Sequence, residues 1–468
     1  MKSPPPRAPS RVRSHTLGFG IQLILLGVSA FGATCSVQNS ELVKSNGNAG
    51  ATELVAELFG DAATAVAGAV DARPIGGASL GTGTYGGGTL SDAQARGQLH
   101  IIGNADDILA TVSGDVPAVI LIREGTYDFT LSPGRTSKAC SVACTPTTPV
   151  ASETLASSSC PSSATLTDTF STYDTARVGD NKTIIGLGAG ATLKNLKVDL
   201  SGSSNVILRN LAFVDINPGI YHDGEAVQMK PADHVWVDHC TFRNVSYTSL
   251  HISSDYDETN NQALTAVAGY VTISFNHFDG RTNKACGGQD PTVMSGNRNP
   301  GVTLHHNWFD TTDNWNPYVI GPGMWAHLFN NVWSNVSSIS VGVTCGAVAI
   351  LEGNTFESAR DAVYLTDSGA PTWAFCQAGF FGEAYLPTVS ADEEQNLLDA
   401  NSPLSLNGQG IDGTGLSLPT RRSGHTFRIS VPASPLGDAA ASYDYELEAT
   451  PTSLPTLVKA STGAGRLF

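Results

Sequence analysis

Acidic side chains gather at Asp223, Glu225, Asp238, Asp255, Asp257 and Glu258. Carboxylate oxygens converging from neighbouring loops suit Ca²⁺, a hard cation that takes roughly 6–8 oxygen ligands. Glu225, Asp238 and Asp223 are therefore the expected metal ligands, with Ca²⁺ as the expected cofactor. Basic residues lie in the same part of the chain, at Lys230, Arg281, Lys284 and Arg298. Their charge suits an anionic or polar ligand, and the aromatic faces of Trp315 and Tyr318 suit sugar rings.

The elements that must hold these residues repeat. The lines NVILRNLAFVDI, HVWVDHCTFRNV, YVTISFNHFDGR, GVTLHHNWFDTT, WAHLFNNVWSNV and VAILEGNTFESA each open on alternating apolar residues. An aromatic follows seven positions after the opening residue: Phe213, Phe242, Phe278, Phe309, Trp333 and Phe356. Their spacings of 29, 36, 31, 24 and 23 are those of a solenoid. The alternation has the period of a strand. Five positions after the opening residue stand Leu211, Cys240, Asn276, Asn307, Asn331 and Asn354. Asn in register on stacked coils predicts an amide ladder along the axis, with parallel strands. The loops then stack on one side and line a shared groove. His239, His305, His306 and His327 fall in the strand pattern and read as ladder or core histidines.

Composition agrees with an all-β chain. Of 468 residues only 15 % are charged, whereas Gly (49) and Pro (24) are abundant. That excludes a helical bundle and a disordered chain. The net charge of −16 excludes a general nucleic-acid binder. It also sets a puzzle for any polyanionic partner.

Four domains are expected. Residues 1–34 read as a signal peptide: Lys2, Arg7, Arg11 and Arg13, then an apolar run around Leu23–Leu26, then small residues. Residues 35–75 read as a linker or N-terminal cap, 76–380 as the solenoid, and 381–468 as decoration packed on it. The expected location is extracellular, with no membrane contact apart from the signal segment.

The residues carry a family resemblance. DGEAVQMKPADHVWVDHCTF, VTISFNHFDGRTNK, VTLHHNWF and HLFNNVWSN resemble the polysaccharide lyase family that contains pectate and pectin lyases. SVGVTCGAVAILEGNTFESA resembles a coil of fungal-type pectin lyases. The resemblance implies a right-handed parallel β-helix and secretion. It further implies β-elimination of an acidic or esterified plant-type polysaccharide, with the protein acting as a monomer. That chemistry removes the proton at C5 and builds negative charge on the adjacent carboxyl group, so it needs a neutral base and nearby cations.

In the family the base is typically an Arg two residues before a Pro. Here Trp315 stands two residues before Pro317, and Tyr318, Val319 and Ile320 follow it. A further Arg of pectin lyases, eight residues after the His of the DHC unit, is Tyr247. The resemblance places Lys284 near a substrate-binding Lys, so Lys284 and Arg281 become the candidate catalytic residues. Lys230 and Arg298, with Trp315 and Tyr318, become the candidate substrate-binding residues. The resemblance implies two bridges among Cys140, Cys144, Cys160 and Cys286, and a third between Cys345 and Cys376. Cys240 is then a buried free thiol. Two other readings stay open: a carbohydrate-binding relative without turnover, and an enzyme for another polysaccharide.

Overall fold

The computed structural model divides the chain into two units, Met1–Asn39 and Ser40–Phe468. It describes residues 62–129, 141–142, 168–169, 173–216, 224–253, 256–257, 262–263, 269–282, 293–296, 301–321, 324–344, 347–366, 397–398, 404–406, 409–411, 426–431, 441–448 and 453–468. All of them lie in the second unit.

Three long sheets run the length of this unit, and the chain visits them in turn. Sheet A has nine strands, from Leu99–Ile102 to Val348–Glu352. Sheet B has nine, from Gly125–Asp128 to Leu397–Leu398. Sheet C has ten, from Asp174–Arg177 to Gln409–Ile411. One coil is Ser204–Arg209 in A, Leu211–Val214 in B and Val227–Met229 in C, before Asp233–Asp238 returns to A. The strands pair in parallel with their counterparts one coil away, except Gln409–Ile411, which closes sheet C antiparallel to Leu404–Leu406. This is the parallel β-helix that the repeat implied.

The repeat positions do what their spacing suggested. Phe213, Phe242, Phe278, Phe309, Trp333 and Phe356 share one register and are buried. Successive ring centroids are 5.2, 5.1, 4.7, 5.0 and 4.5 Å apart, all stacked. That is close to the strand separation of about 4.8 Å, so the sheet itself spaces the rings. Each stacked pair adds roughly 0.5–1.5 kcal/mol beyond its burial.

The amide ladder runs beside them. Asn276 Nδ2 donates to Asn307 Oδ1 at 3.1 Å, Asn307 Nδ2 to Asn331 Oδ1 at 2.9 Å, and Asn331 Nδ2 to Asn354 Oδ1 at 3.1 Å. The same side chains donate to the carbonyls of Val237, Ile273 and Leu304 in the preceding coil. Cys240 sits at the head of this row, buried, and its backbone N–H donates to Asn276 Oδ1. Its thiol is free, and burial pushes its pKa up to about 12. The other cysteines lie outside the described residues.

The residue before each ladder position makes the corner. Asn210, His239, Phe275, His306, Asn330 and Gly353 all have φ between 49° and 58°. Asn tolerates this left-handed conformation best among residues with a side chain, which explains its frequency at the turns.

Two of the three outer faces are covered. Helix α1 (Ala63–Asp71) packs Val66, Ala69 and Val70 on Val119, Leu121 and Ile185 of sheet A. The segment before residue 76, read as a linker or cap, thus contributes a helix to the core. Helix α2 (Leu90–Ala95), capped by Thr89, adds Leu90 and Ala93 to the same cluster. Helix α3 (Ala105–Val112) turns Ile108 and Val112 onto the first coils. The antiparallel hairpin Thr426–Val431 and Ala441–Glu446 lays Tyr443 and Tyr445 over Trp325 and Phe329 of sheet A. Helix α4 (Leu454–Ser461) sets Leu454 and Val458 against Val332 and Trp308 of sheet B. The sheets also continue past residue 380, through Leu397–Leu398 and Leu404–Leu406, so the coil outlasts its sequence signature. Among the described residues, no helix or hairpin packs on the outer face of sheet C.

Candidate functional site on the outer face of sheet C

Alternation along the strands of sheet C decides which residues face outward. Leu250 and Ile252 are buried in the core, so His251 between them points the other way. The strand register then defines an outward row: Asp199, Gln228, His251, Tyr318, Gly342 and Tyr364, with the strand Val293–Gly296 running between His251 and Tyr318.

Glu225 lies beside this row, two residues before the strand Val227–Met229. Lys197, one coil earlier on sheet C, places Nζ 2.9 Å from Glu225 Oε2 and also donates to Gln228 Oε1. Lys230, just past the strand, places Nζ 3.2 Å from Oε1. His251 Nδ1 lies 2.5 Å from the same Oε1. Glu225 is buried, and burial alone would raise its pKa. The hydrogen bond from His251 and the charges of Lys230 and Lys197 outweigh burial and hold the carboxyl well below its ordinary range. For His251 the balance runs the other way. Burial lowers its pKa, Lys230 and Lys197 lower it further, and Glu225 opposes them. The pair is thus a carboxylate and a neutral imidazole near pH 7.

One carboxylate against two ammonium groups leaves one positive charge in excess. The side chains of Lys197 and Lys230 are 15 % and 31 % exposed, so that charge reaches the outer face. Among the described residues the Glu225 cluster itself is cationic, with Asp199 of the same row one strand beyond Gln228, in a chain of net charge −16.

Two coils further along, the row becomes aromatic. Trp315 packs on Tyr318, with ring centroids 4.2 Å apart, and edge-on to Tyr364 at 5.5 Å. The indole lies directly over Gly342, where an added Cβ would sit 2.0 Å from Trp315 Cε3. Tyr318 is only 4 % exposed, so the sugar-facing surface expected of the two residues belongs to the half-buried Trp315. The Trp315 side chain is thus folded down onto the sheet.

Other expected site residues stand elsewhere. Asp238 ends a strand of sheet A, under α1, and not on sheet C beside Glu225. Arg209 holds its Oδ2 through Nε at 2.8 Å and Nη2 at 2.7 Å, His239 Nδ1 approaches the same oxygen at 2.6 Å, and Ser274 Oγ donates to Oδ1 at 2.5 Å. Arg209 in turn donates to the Ala69 carbonyl of α1. The expected convergence of Asp238 with Glu225 is corrected accordingly: Asp238 is the counter-ion of a buried Arg. Arg281 is corrected too. It lies beyond the strand His277–Asp279, on the outer face of sheet B, paired with Asp279 at 2.5 Å and Asp310 at 3.0 Å. Lys284, Arg298 and Asp223 lie outside the described residues, as do Asp255 and Glu258.

The expected cation site can be tested on the donor set. Ca²⁺ takes oxygen ligands. Both oxygens of Glu225 already face N–H donors, and those of Asp238 are taken by Arg209 and His239 at Oδ2 and by the Ser274 hydroxyl at Oδ1. Among the described residues, no group of three or more His, Cys, Asp or Glu is arranged to hold a metal ion. The described residues do not fit Ca²⁺; in the Glu225 cluster, two ammonium groups occupy the place of a cation.

Lys197 and His251 were not among the expected site residues. Their signal is the alternation itself: Leu196-Lys197-Val198-Asp199 and Leu250-His251-Ile252 each put a polar residue between two inward apolar ones.

Comparison with known proteins follows this geometry. A family model described as pectate lyase matches residues 52–379. Probable pectin lyase F-2 of Aspergillus terreus is 28 % identical over 427 residues, covering 86 % of this chain and 81 % of that protein. Probable pectin lyase B of Aspergillus niger is 30 % identical over 325 residues, covering 67 % and 80 %. Among solved structures, a pectate lyase from Acidovorax avenae subsp citrulli superposes with a TM-score of 0.51 at 20 % identity. The match covers 85 % of this chain and 95 % of that one, and supports the shared fold.

Proposed function

The chain belongs to the pectate lyase family, and from that membership we propose that it cleaves pectic polymers by β-elimination along the outer face of sheet C. The observation that carries this reading is the cluster of Lys197, Lys230, Glu225 and His251 on that face. In β-elimination the C5–H bond breaks, a C4=C5 double bond forms and the glycosidic O4 departs. Negative charge grows on the carboxyl oxygens at C5 as the proton leaves. Preorganised cations at that point lower the barrier, and Lys197 and Lys230 supply them. The Trp315 ring, over Gly342 and about three strand spacings or roughly 14 Å from His251, offers a face to a sugar further along the polymer.

The substrate is methyl-esterified pectin in preference to free polygalacturonate. One excess positive charge suits a single developing carboxyl charge better than a run of full charges. The chain as a whole also repels a polyanion. No step runs through Ca²⁺, because the described donors do not fit it. The protein is exported, as its basic and apolar N-terminus suggests. Among the described residues no helix is long and apolar enough to cross a membrane.

The test is direct. Purified protein is added to methyl-esterified pectin and to polygalacturonate, and the ultraviolet absorbance of the unsaturated uronate product is followed. The reading expects a faster rise on the esterified polymer. No rise on either would leave a carbohydrate-binding relative, detectable by polymer retention without turnover.

A further inference from the structure

We infer that Nε2 of His251 takes the C5 proton in this chain, and that Glu225 positions the imidazole through Nδ1. This rests on the lyase reading above and names the base that reading leaves open.

The position that carries a guanidinium in the family holds Trp315, which has no basic atom and lies packed on Gly342. The face therefore needs another proton acceptor. His251 is the histidine in the outward row of sheet C. Its Nδ1 faces the Glu225 carboxylate at 2.5 Å. A carboxylate only accepts, so Nδ1 carries the hydrogen and Nε2 of the neutral ring keeps a free lone pair. The side chain is only 8 % exposed, yet among the described residues no hydrogen-bond partner takes Nε2. An imidazole held by a carboxylate at one nitrogen and open at the other is the arrangement of a general base.

The surroundings keep the ring ready. Among the described residues, the groups that face it are Glu225 and Lys230 beside the strand Val227–Met229, Lys197 on the strand before it, and Tyr247, edge-on with centroids 6.4 Å apart. At the matching register on the preceding strand its neighbour is the uncharged Gln228. Burial and the two ammonium groups hold the imidazole pKa below its ordinary value, which favours the unprotonated ring at neutral pH. The same ammonium groups flank the carboxyl group whose charge develops, so base and charge stabilisation share one cluster.

The step balances as follows. Nε2 takes the C5 proton and the C5–H electron pair becomes the C4=C5 π bond. The C4–O4 bond breaks with its pair on O4, which water protonates. The imidazolium then returns its proton to solvent.

The experiment compares the wild-type chain with His251→Gln, whose amide can still donate to Glu225. Turnover of methyl-esterified pectin, polymer retention in affinity electrophoresis and the thermal melt are measured on both. General-base removal costs about 10²–10⁴-fold in rate. We expect that loss in kcat, with retention and melting unchanged within error. Equal turnover in the two proteins would overturn the assignment while leaving the lyase reading intact. Loss of retention together with turnover would also overturn it, in favour of a binding role. A wild-type chain that forms no unsaturated product would overturn both.

The wild-type pH profile is an independent check that needs no variant. The acid limb of kcat/KM is expected below the ordinary histidine value of about 6.5. A rate that climbs only in the alkaline range would rule out a neutral histidine base.

Discussion

Trp315 and Gly342 are a fitted pair: the indole occupies the space that a side chain at residue 342 would fill, 2.0 Å from where its Cβ would stand. The glycine lets the aromatic lie flat on the strand Ile339–Thr344, against Tyr318 and Tyr364. Gly342→Ala is expected to push the indole off the sheet and to destabilise the fold by roughly 1–3 kcal/mol, as overpacking does. A urea midpoint and the Trp fluorescence spectrum report both effects. An unchanged midpoint with an unchanged spectrum would contradict the packing described.

Trp315→Ala removes the half-buried ring without touching the charged cluster. Aromatic contacts are worth roughly 0.5–1.5 kcal/mol, or about 3–10-fold in affinity. KM for pectin is expected to rise by that factor while kcat stays near wild type. A large fall in kcat at constant KM would place Trp315 in the chemistry instead.

Lys197→Met deletes one of the two cations at Glu225. Loss of a single preorganised donor at a developing charge costs about 10²–10³ in kcat. Lys230 and His251 both bond Oε1, so the same substitution leaves Oε2 without its donor, and the melt should also fall, by the roughly 1–3 kcal/mol that an unpaired buried group costs. A fall in Tm with full activity at lower temperature would make Lys197 a structural residue only.

The solenoid was legible because its repeat is local. Ladder Asn and stacked aromatic recur at a fixed offset from the same strand, so a single line announces its own position in the coil. The site was legible only in part, for physical reasons. Glu225 and Lys230 stood out as charges beside a recognisable motif. Lys197 and His251 did not, since a polar residue between two apolar ones looks like any outward strand position. Asp238 misled because its partner, Arg209, lies 29 residues earlier and meets it only when the coils stack. Arg281 misled because its place at the end of a sheet B strand, beside Asp279 and Asp310, depends on where that strand stops.

Asn307→Ala tests the ladder. Its amide donates to Ile273 O at 2.9 Å and to Asn331 Oδ1 at 2.9 Å, while its Oδ1 accepts from Asn276 N at 3.0 Å. Each buried group left unpaired costs about 1–3 kcal/mol, so a loss of roughly 3 kcal/mol or more is expected in a urea titration. A cost under about 1 kcal/mol would mean that water or neighbours replace the amide.

Stability should fall at acid pH through Asp238. Burial alone would raise its pKa, but Arg209, His239 and Ser274 outweigh burial and hold it at about 2. Its folded pKa lies below the unfolded value of about 3.9, so the ionised carboxylate favours the folded state above about pH 4. That contribution, roughly 2 kcal/mol, fades as pH falls from about 4 towards 2. Asp238→Asn would leave Arg209 buried without its counter-ion, at a cost of about 3–5 kcal/mol. It should also flatten this part of the pH–stability curve. A curve of unchanged shape in the variant would assign the acid transition to other carboxylates.

The most direct test of the central claim is the rate of unsaturated uronate formation from methyl-esterified pectin in the presence of a Ca²⁺ chelator. A lyase site built from Lys197, Lys230, Glu225 and His251 predicts turnover that the chelator leaves unchanged. Product that appears only when Ca²⁺ is restored, or no product under either condition, would contradict it.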